Sequence, residues 1–136
     1  MGLFDRIRGR SGGDRSPLTV INITGSSRVP VVGESHYQGE LASVAGPKRA
    51  GGVEIEVQAV LVGEPTNPYD ANAVAIHING AGKVGYLSRE NALRFQPLVA
   101  SYASRGEAAG CEAVILGGDA RRQTQFCVWL HIAEPD

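Results

Sequence analysis

Ala73-Val74-Ala75-Ile76-His77-Ile78-Asn79-Gly80-Ala81-Gly82-Lys83-Val84-Gly85-Tyr86-Leu87 reads as two strands joined by a tight turn. Asn-Gly with a second glycine close behind it supplies the positive-φ positions that hairpins demand, and the flanks are rich in Val, Ile and Tyr. Upstream, Val53-Glu54-Ile55-Glu56-Val57-Gln58-Ala59-Val60-Leu61 alternates apolar and polar residues through Gln58, the period of a strand with one face in a core and the other in water. Further out, Leu18–Ile23 and Arg28–Val32 read as strands, the second stopped by Gly33. Cys111–Leu116 and Phe126–Ile132 bracket Gly117-Gly118-Asp119 as a closing hairpin. A hairpin centred near Asp119 would set Cys111 opposite Cys127, close enough for a regulatory disulfide.

Helical chemistry follows Leu87. Ser88 suits an N-cap, Glu90 falls in the first turn, and Ala92, Leu93, Arg94 and Phe95 continue the helix. Pro97 interrupts it, and because proline is welcome at a first helical position a second helix is expected from Pro97 through Ser104, ending near Gly106. Gly33-Glu34-Ser35-His36-Tyr37-Gln38-Gly39 reads as a polar loop carrying an aromatic residue. Five to seven short strands around one helical segment fit a small open or closed β-barrel with a helical cap better than a sandwich or a parallel sheet.

The chain has 136 residues, 43% of them hydrophobic and 20% charged, which suits one globular domain and leaves no room for an ATPase motor. No apolar run approaches the roughly 20 residues of a membrane span, and residues 1–15 lack the apolar core of a secretory signal, so a cytoplasmic protein without a membrane partner is expected. Two cysteines are too few for a disulfide framework, and reduced thiols are the expectation. The net charge of −1 argues against coating long stretches of duplex, so any nucleic-acid site must be small and local. Arg6, Arg8, Arg10 and Arg15 against Asp5 and Asp14 put the basic excess in residues 1–16, which read as a flexible arm ahead of one domain at 17–136. Leu3, Phe4 and Ile7 stand at helical spacing there, but Gly9, Gly12 and Gly13 limit any helix to a turn or two.

The polar centre of the chain is Glu64-Pro65-Thr66-Asn67-Pro68-Tyr69-Asp70-Ala71-Asn72-Ala73-Val74. Two prolines fix φ near −65°, and Asn67 and Asp70 can bond their own nearby backbone, so the loop should be held in one shape. Tyr69 offers a stacking face beside a carboxylate, and Arg89 starts a helix just beyond Tyr86.

With Val31-Val32-Gly33 plus Tyr37, and Val84-Gly85-Tyr86-Leu87-Ser88-Arg89-Glu90, that loop completes three blocks in which the chain resembles the HIRAN domain over about residues 28–132. The family occurs at the N-terminus of helicase-like transcription factor and related SNF2-type repair ATPases, and alone in bacterial proteins. The resemblance implies an OB-like or SH3-like barrel, mainly β, with one helical insert of two short helices after the Val84–Leu87 strand. It also implies a pocket that captures the 3′ end of single-stranded DNA, in DNA repair or stalled-fork processing. On that resemblance Tyr69 stacks on a base, Asp70 accepts from the 3′-hydroxyl, and Asn67 hydrogen-bonds the end nucleotide. Tyr86 and Arg89 line the other wall, with His36 and Tyr37 on the facing loop.

Eukaryotic members place an arginine and then a tyrosine where this chain has Ser35 and His36, and Glu34 adds negative charge nearby. His36 can still stack and is the side-chain type that gains charge near neutral pH, so weaker and more pH-dependent DNA binding is expected. Each residue also has a plainer reading. Asn67, Asp70 and Asn72 can serve backbone groups of the loop, Tyr69 and Tyr86 can pack on a barrel rim, and Arg89 can lie on a solvated helix face. His36, His77 and His131 have no metal-ligand spacing, Glu54 and Glu56 share an exposed strand face, and no nucleophile has a base in reach. A non-catalytic monomer without metal or cofactor is therefore expected. Its partner is single-stranded DNA or, alternatively, a protein such as a helicase or repair factor that uses the fold as an adaptor.

Overall fold

The computed structural model describes residues 19–135, so the arm read into residues 1–16 lies outside the described residues. Among the described residues seven strands form: β1 (Thr19–Asn22), β2 (Ser27–Val32), β3 (Val53–Gly63), β4 (Val74–Ile78), β5 (Gly82–Leu87), β6 (Glu107–Gly117) and β7 (Phe126–Ile132). A 3-10 turn at Glu34–His36 leads into helix α1 (Gln38–Ala45), and α2 (Arg89–Ala103) joins β5 to β6. β6, β3, β4, β5, β2 and β7 pair in that order, and β7 returns to β6, closing a six-stranded antiparallel barrel. β1 lies parallel to the first residues of β6, Thr19 against Glu107 through Asn22 against Gly110, below the point where β7 takes over that edge. The expected mainly-β barrel is thus what forms, with one additional strand.

Alternation decides what fills it. On β6 the inward residues Ala109, Cys111, Ala113 and Ile115 are buried, as are Phe126, Val128, Leu130 and Ile132 on β7. Small residues on β6 leave space for the larger side chains of β7 and for Leu41, Ile76, Leu61 and Phe95, each essentially inaccessible. On β3, Glu54, Glu56 and Gln58 face water, as their alternation predicted. No helix among the described residues is long and apolar enough to cross a membrane.

β2 closes the barrel by changing partners. Ser27–Pro30 pair with Ile132–Trp129, and then Val31 and Val32 pair with Leu87 and Tyr86 of β5. Where β2 leaves β7, side chains take over the ladder. Glu34 accepts from Val128 N at 3.0 Å, and the Gln38 amide both accepts from Phe126 N (2.9 Å) and donates to Phe126 O (3.0 Å). The Glu34 charge is therefore turned toward β7. Burial pushes its carboxyl above the ordinary value, partly offset by the Val128 hydrogen bond.

Three expectations need correction. α2 is one continuous helix with Pro97 inside it, not two short helices. Its buried face is Ala92, Phe95 and Val99, while Pro97 and Leu93, the residue four positions back, are exposed. Water can therefore take the orphaned carbonyl, and packing on the barrel outweighs the proline's cost of about 3 kcal/mol. The second helix of the fold is α1, inside a region read only as loop at its start; it buries Leu41 and Ala45, one turn apart, and stops at Gly46 with φ +83°. Finally, Leu116, not Cys111, is paired with Cys127, because the turn between β6 and β7 spans residues 118–125. Cys111 points into the barrel, where burial pushes its thiol up to about 12, and Cys127 lies on the outward-facing alternation of β7. The register and the opposite faces exclude the cross-strand disulfide.

Gly85 marks the tightest approach between β5 and β2. Its φ is +155°, and a Cβ there would lie 2.6 Å from Val31 Cγ1 and 2.6 Å from Val32 O. Gly85→Ala is expected to destabilise the fold by about 2 kcal/mol, measured as a lower urea midpoint; an unchanged midpoint would show that β2 can shift freely.

Candidate functional site

The loop joining β3 to β4 is shaped from its own sequence. Glu64 N donates to Ala73 O at 2.9 Å, closing the loop at its neck, and Asn67 N donates to Glu64 O at 2.9 Å. The Asn67 side chain then works in both directions. Its Oδ1 accepts from Tyr69 N (2.9 Å) and Asp70 N (3.1 Å), and its Nδ2 donates to Glu64 Oε1 at 3.1 Å. Asp70 Oδ1 accepts from Asn72 N at 2.9 Å. These are Asx-type bonds of the kind that Asn and Asp supply in turns.

Beneath the loop lies a charged cluster in which Tyr86, expected as a wall residue, meets Glu64 and Lys83, which were not expected in the site. Glu64 is only 7% exposed, and its carboxylate accepts from Lys83 Nζ (2.7 Å) and the Tyr86 hydroxyl (2.8 Å); Lys83 Nζ also donates to Tyr86 Oη at 2.8 Å. Burial alone would raise the Glu64 carboxyl, but the hydrogen bonds from Lys83, Asn67 and Tyr86 outweigh it and hold the group below the usual carboxylate value. Burial likewise opposes the charge on Lys83, and Glu64 with Tyr86 more than restores it, so the ammonium is held more tightly than usual. Tyr86 is raised by burial and by the neighbouring Glu64 carboxylate, against an opposing pull from Lys83.

A strand places residues three apart on opposite faces, so Lys83 and Tyr86 meet only because β5 is bulged. Ile76 pairs with Gly85 and His77 with Lys83, leaving Val84 as the extra residue. The signal in the sequence was Gly85 inside a strand pattern, followed by the single tyrosine of that strand.

Above this base the candidate residues separate into two kinds. Tyr69 is 85% exposed, and among the described residues it is bonded only through its backbone, with its carbonyl accepting from Arg89 Nη2 at 2.9 Å. Arg89 Nε also stands 4.0 Å from Asp70 Oδ2. Ser88 caps α2 as expected, its hydroxyl accepting from Asn91 N at 3.2 Å, which fixes Arg89 as the first helical residue. Tyr69, Asp70 and Arg89 therefore come together at the surface, while Asn67 and Tyr86 have their polar groups engaged inside. His36 is exposed on the 3-10 turn, and Tyr37 is half-buried against the core at the start of α1. Their turn adjoins β5, since Val32 pairs with Tyr86 just before it. No group of three His, Cys, Asp or Glu residues among the described residues could hold a metal ion.

The profile of the HIRAN domain matches residues 24–133, the whole barrel and both walls of this site. The chain belongs to the HIRAN domain family. Among solved structures it is similar to the HIRAN domain of human HLTF, with a TM-score of 0.47 and 19% identity over 84% of this chain and 80% of that one. It is also similar to a protein from Lactobacillus plantarum, with a TM-score of 0.44 and 23% identity over 79% of this chain and 93% of that one. No curated protein is significantly similar to it. In this HIRAN domain the Asn-Pro-Tyr-Asp loop is thus a braced platform, its asparagine bonded downward and its tyrosine presented outward.

Proposed function

We propose that this HIRAN domain is a non-catalytic nucleic-acid-binding module that captures single-stranded DNA 3′ ends around Tyr69, Asp70 and Arg89. The observation that carries the reading is the 85% exposed Tyr69 ring on a loop locked from below. An aromatic ring held ready in water is costly to leave bare and stacks on any base for about 1–3 kcal/mol. Beside it Asp70 accepts a hydroxyl proton but repels a phosphate, and Arg89, on the first turn of α2, offers a guanidinium to the preceding phosphate. A carboxylate and a guanidinium at that separation suit an end better than an internal nucleotide. Work in DNA repair or at stalled forks follows from such end capture, with a helicase or repair factor as the protein partner.

Fluorescence anisotropy with matched oligonucleotides tests the reading. Those ending in a 3′-hydroxyl should bind about tenfold more tightly than those ending in a 3′-phosphate, because the terminal hydrogen bond to a charged acceptor is replaced by repulsion. Equal affinity for both ends would overturn end capture.

The adaptor reading has one observation in its favour. The Asn67 amide and Tyr86 hydroxyl are engaged in holding the loop, and Ser35 and His36 supply no arginine on the facing turn, so part of the wall serves the fold alone.

A further inference from the structure

Four cations meet at the end of the barrel where β3 and β7 begin. The segment between α1 and β3 carries Lys48 and Arg49, and the turn between β6 and β7 carries Arg121 and Arg122. Backbone hydrogen bonds clasp the two segments together. Arg49 N donates to Gly118 O and Ala120 N to Arg49 O, both at 3.0 Å, while Asp119 Oδ1 accepts from Gly51 N (3.2 Å) and Arg121 N (2.9 Å). An approach this close requires glycine: a Cβ on Gly52, whose φ is +78°, would lie 2.9 Å from Gly117 O. All four cations are exposed. Among the described residues Lys48, Arg49 and Arg121 take part in no ion pair, and Arg122 stands 3.9 Å from Asp119. Over residues 46–52 and 117–125 these four against the one carboxylate of Asp119 leave +3, in a chain whose net charge is −1. Positive charge gathered on a rigid clasp attracts a polyanion, and arginine in particular matches phosphate oxygens two at a time.

We propose that this patch holds the phosphate backbone of the same single strand whose 3′ end lies at Tyr69, on its 5′ side, an inference that rests on end capture at the Tyr69 loop. The β4–β5 hairpin links the two places. It leaves the loop at Val74 and reaches its tip after Ile78, five residues or about 17 Å on. There α1 takes over: a Cβ on Gly80 would lie 3.8 Å from Val44 Cγ2, and Arg49 Nη2 donates to Ala45 O at 2.8 Å, at the end of α1. Lys83, with 30% of its side chain exposed, lies on this route, and the exposed residues Ser43, Pro47, Asn79 and Gly80 add no charge to it. The outer face of β3 and β6 is less suited to a phosphate chain, since Glu54, Glu56 and Glu112 are exposed there against Arg28 and His131. The hairpin and the last turn of α1 together measure about 22 Å, or about six to seven stacked nucleotides at about 3.4 Å each. That length falls within the roughly 4–16 nucleotides that one OB fold covers.

Fluorescence anisotropy of the full chain with single strands ending in a 3′-hydroxyl, lengthened from about 3 to about 16 nucleotides, tests the path. Affinity of the native chain should rise about tenfold as the strand passes about 7 nucleotides and reaches the patch. Lys48→Ser/Arg121→Ser/Arg122→Ser should lose that rise. On the longest strand its slope of log K against log salt should be shallower by about 2, at about 0.7 for each cation, and Arg121→Ser alone should remove about 0.7. These substitutions spare the clasp, because Arg121 and Arg122 bond Asp119 Oδ1 through backbone N–H groups and Arg49 stays in place. The same length dependence and the same slope in native and variant chains overturn the proposal. So does an unchanged DNA slope in a variant that releases an oligoglutamate peptide, which would assign the patch to an acidic protein segment. If end capture fails, strands ending in a 3′-hydroxyl and a 3′-phosphate bind alike; the loss of salt slope on long strands reports on the patch alone, so the two failures are told apart.

Discussion

Replacing Glu64 with alanine is expected to cost the fold about 3 kcal/mol, read as a fall in the urea midpoint with little change in slope. Three donors, on Lys83, Tyr86 and Asn67, lose their shared acceptor at once, and the Lys83 ammonium is left beside the barrel rim without its counter-charge. The Lys83 side chain keeps 30% of its exposure, so water recovers part of the loss and the figure falls at the low end for a broken buried pair. The double replacement Glu64→Leu/Lys83→Met should regain most of the stability, since it removes both charges and their desolvation together. If the double variant is no more stable than Glu64→Ala, the ion pair is not the source. The same cluster sets an acid limb. The Glu64 carboxyl is held below its unfolded value, so its stabilisation is complete above the ordinary carboxyl pKa of about 4.3 and is lost as pH falls through the lower folded value. Glu64→Gln should flatten that limb; overlapping acid titrations of the two proteins would exclude Glu64 as its origin.

Periodicity carried most of the barrel because it is local information. The alternation of Val53 to Gln58, the Asn79-Gly80 turn and the Ser88 cap each fix a structure within a few residues, and all three form as read. What escaped was decided by packing between distant segments. Pro97 is a helix breaker in isolation and is tolerated only because Phe95 and Val99 bury on the barrel on either side of it. α1 has little intrinsic signal, with Gly39 and Ser43 among its eight residues, and it exists because Leu41 and Ala45 complete the core. The β6–β7 register depends on how residues 118–125 fold. There Asp119 accepts from the backbone N–H groups of Gly51, Arg121 and Arg122 and so lengthens the turn beyond a minimal hairpin. In the candidate site the exposed group could be named from the loop's chemistry alone. Its base could not, because Glu64 and Lys83 are 19 residues apart and meet only through the bulge at Val84.

Tyr69→Ala should lower affinity for a single-stranded 3′ end by about 10–100-fold while leaving thermal stability within about 0.5 kcal/mol of the native protein. The ring is 85% exposed and its backbone bonds to Asn67 and Arg89 survive the substitution, so nothing in the fold depends on it. Asn67→Ala should behave differently. It removes the acceptor for Tyr69 N and Asp70 N and one donor to Glu64, so stability should fall by about 1–2 kcal/mol and affinity should fall with it. Asp70→Asn retains a side-chain oxygen for Asn72 N but discards the charge. That variant should remain folded and lose the distinction between 3′-hydroxyl and 3′-phosphate ends. Anisotropy and thermal melts on the three variants therefore separate a residue that meets the nucleotide from one that shapes the platform. If affinity instead tracks stability across all three, the loop is a brace for the barrel, and recognition by this domain belongs to a protein partner.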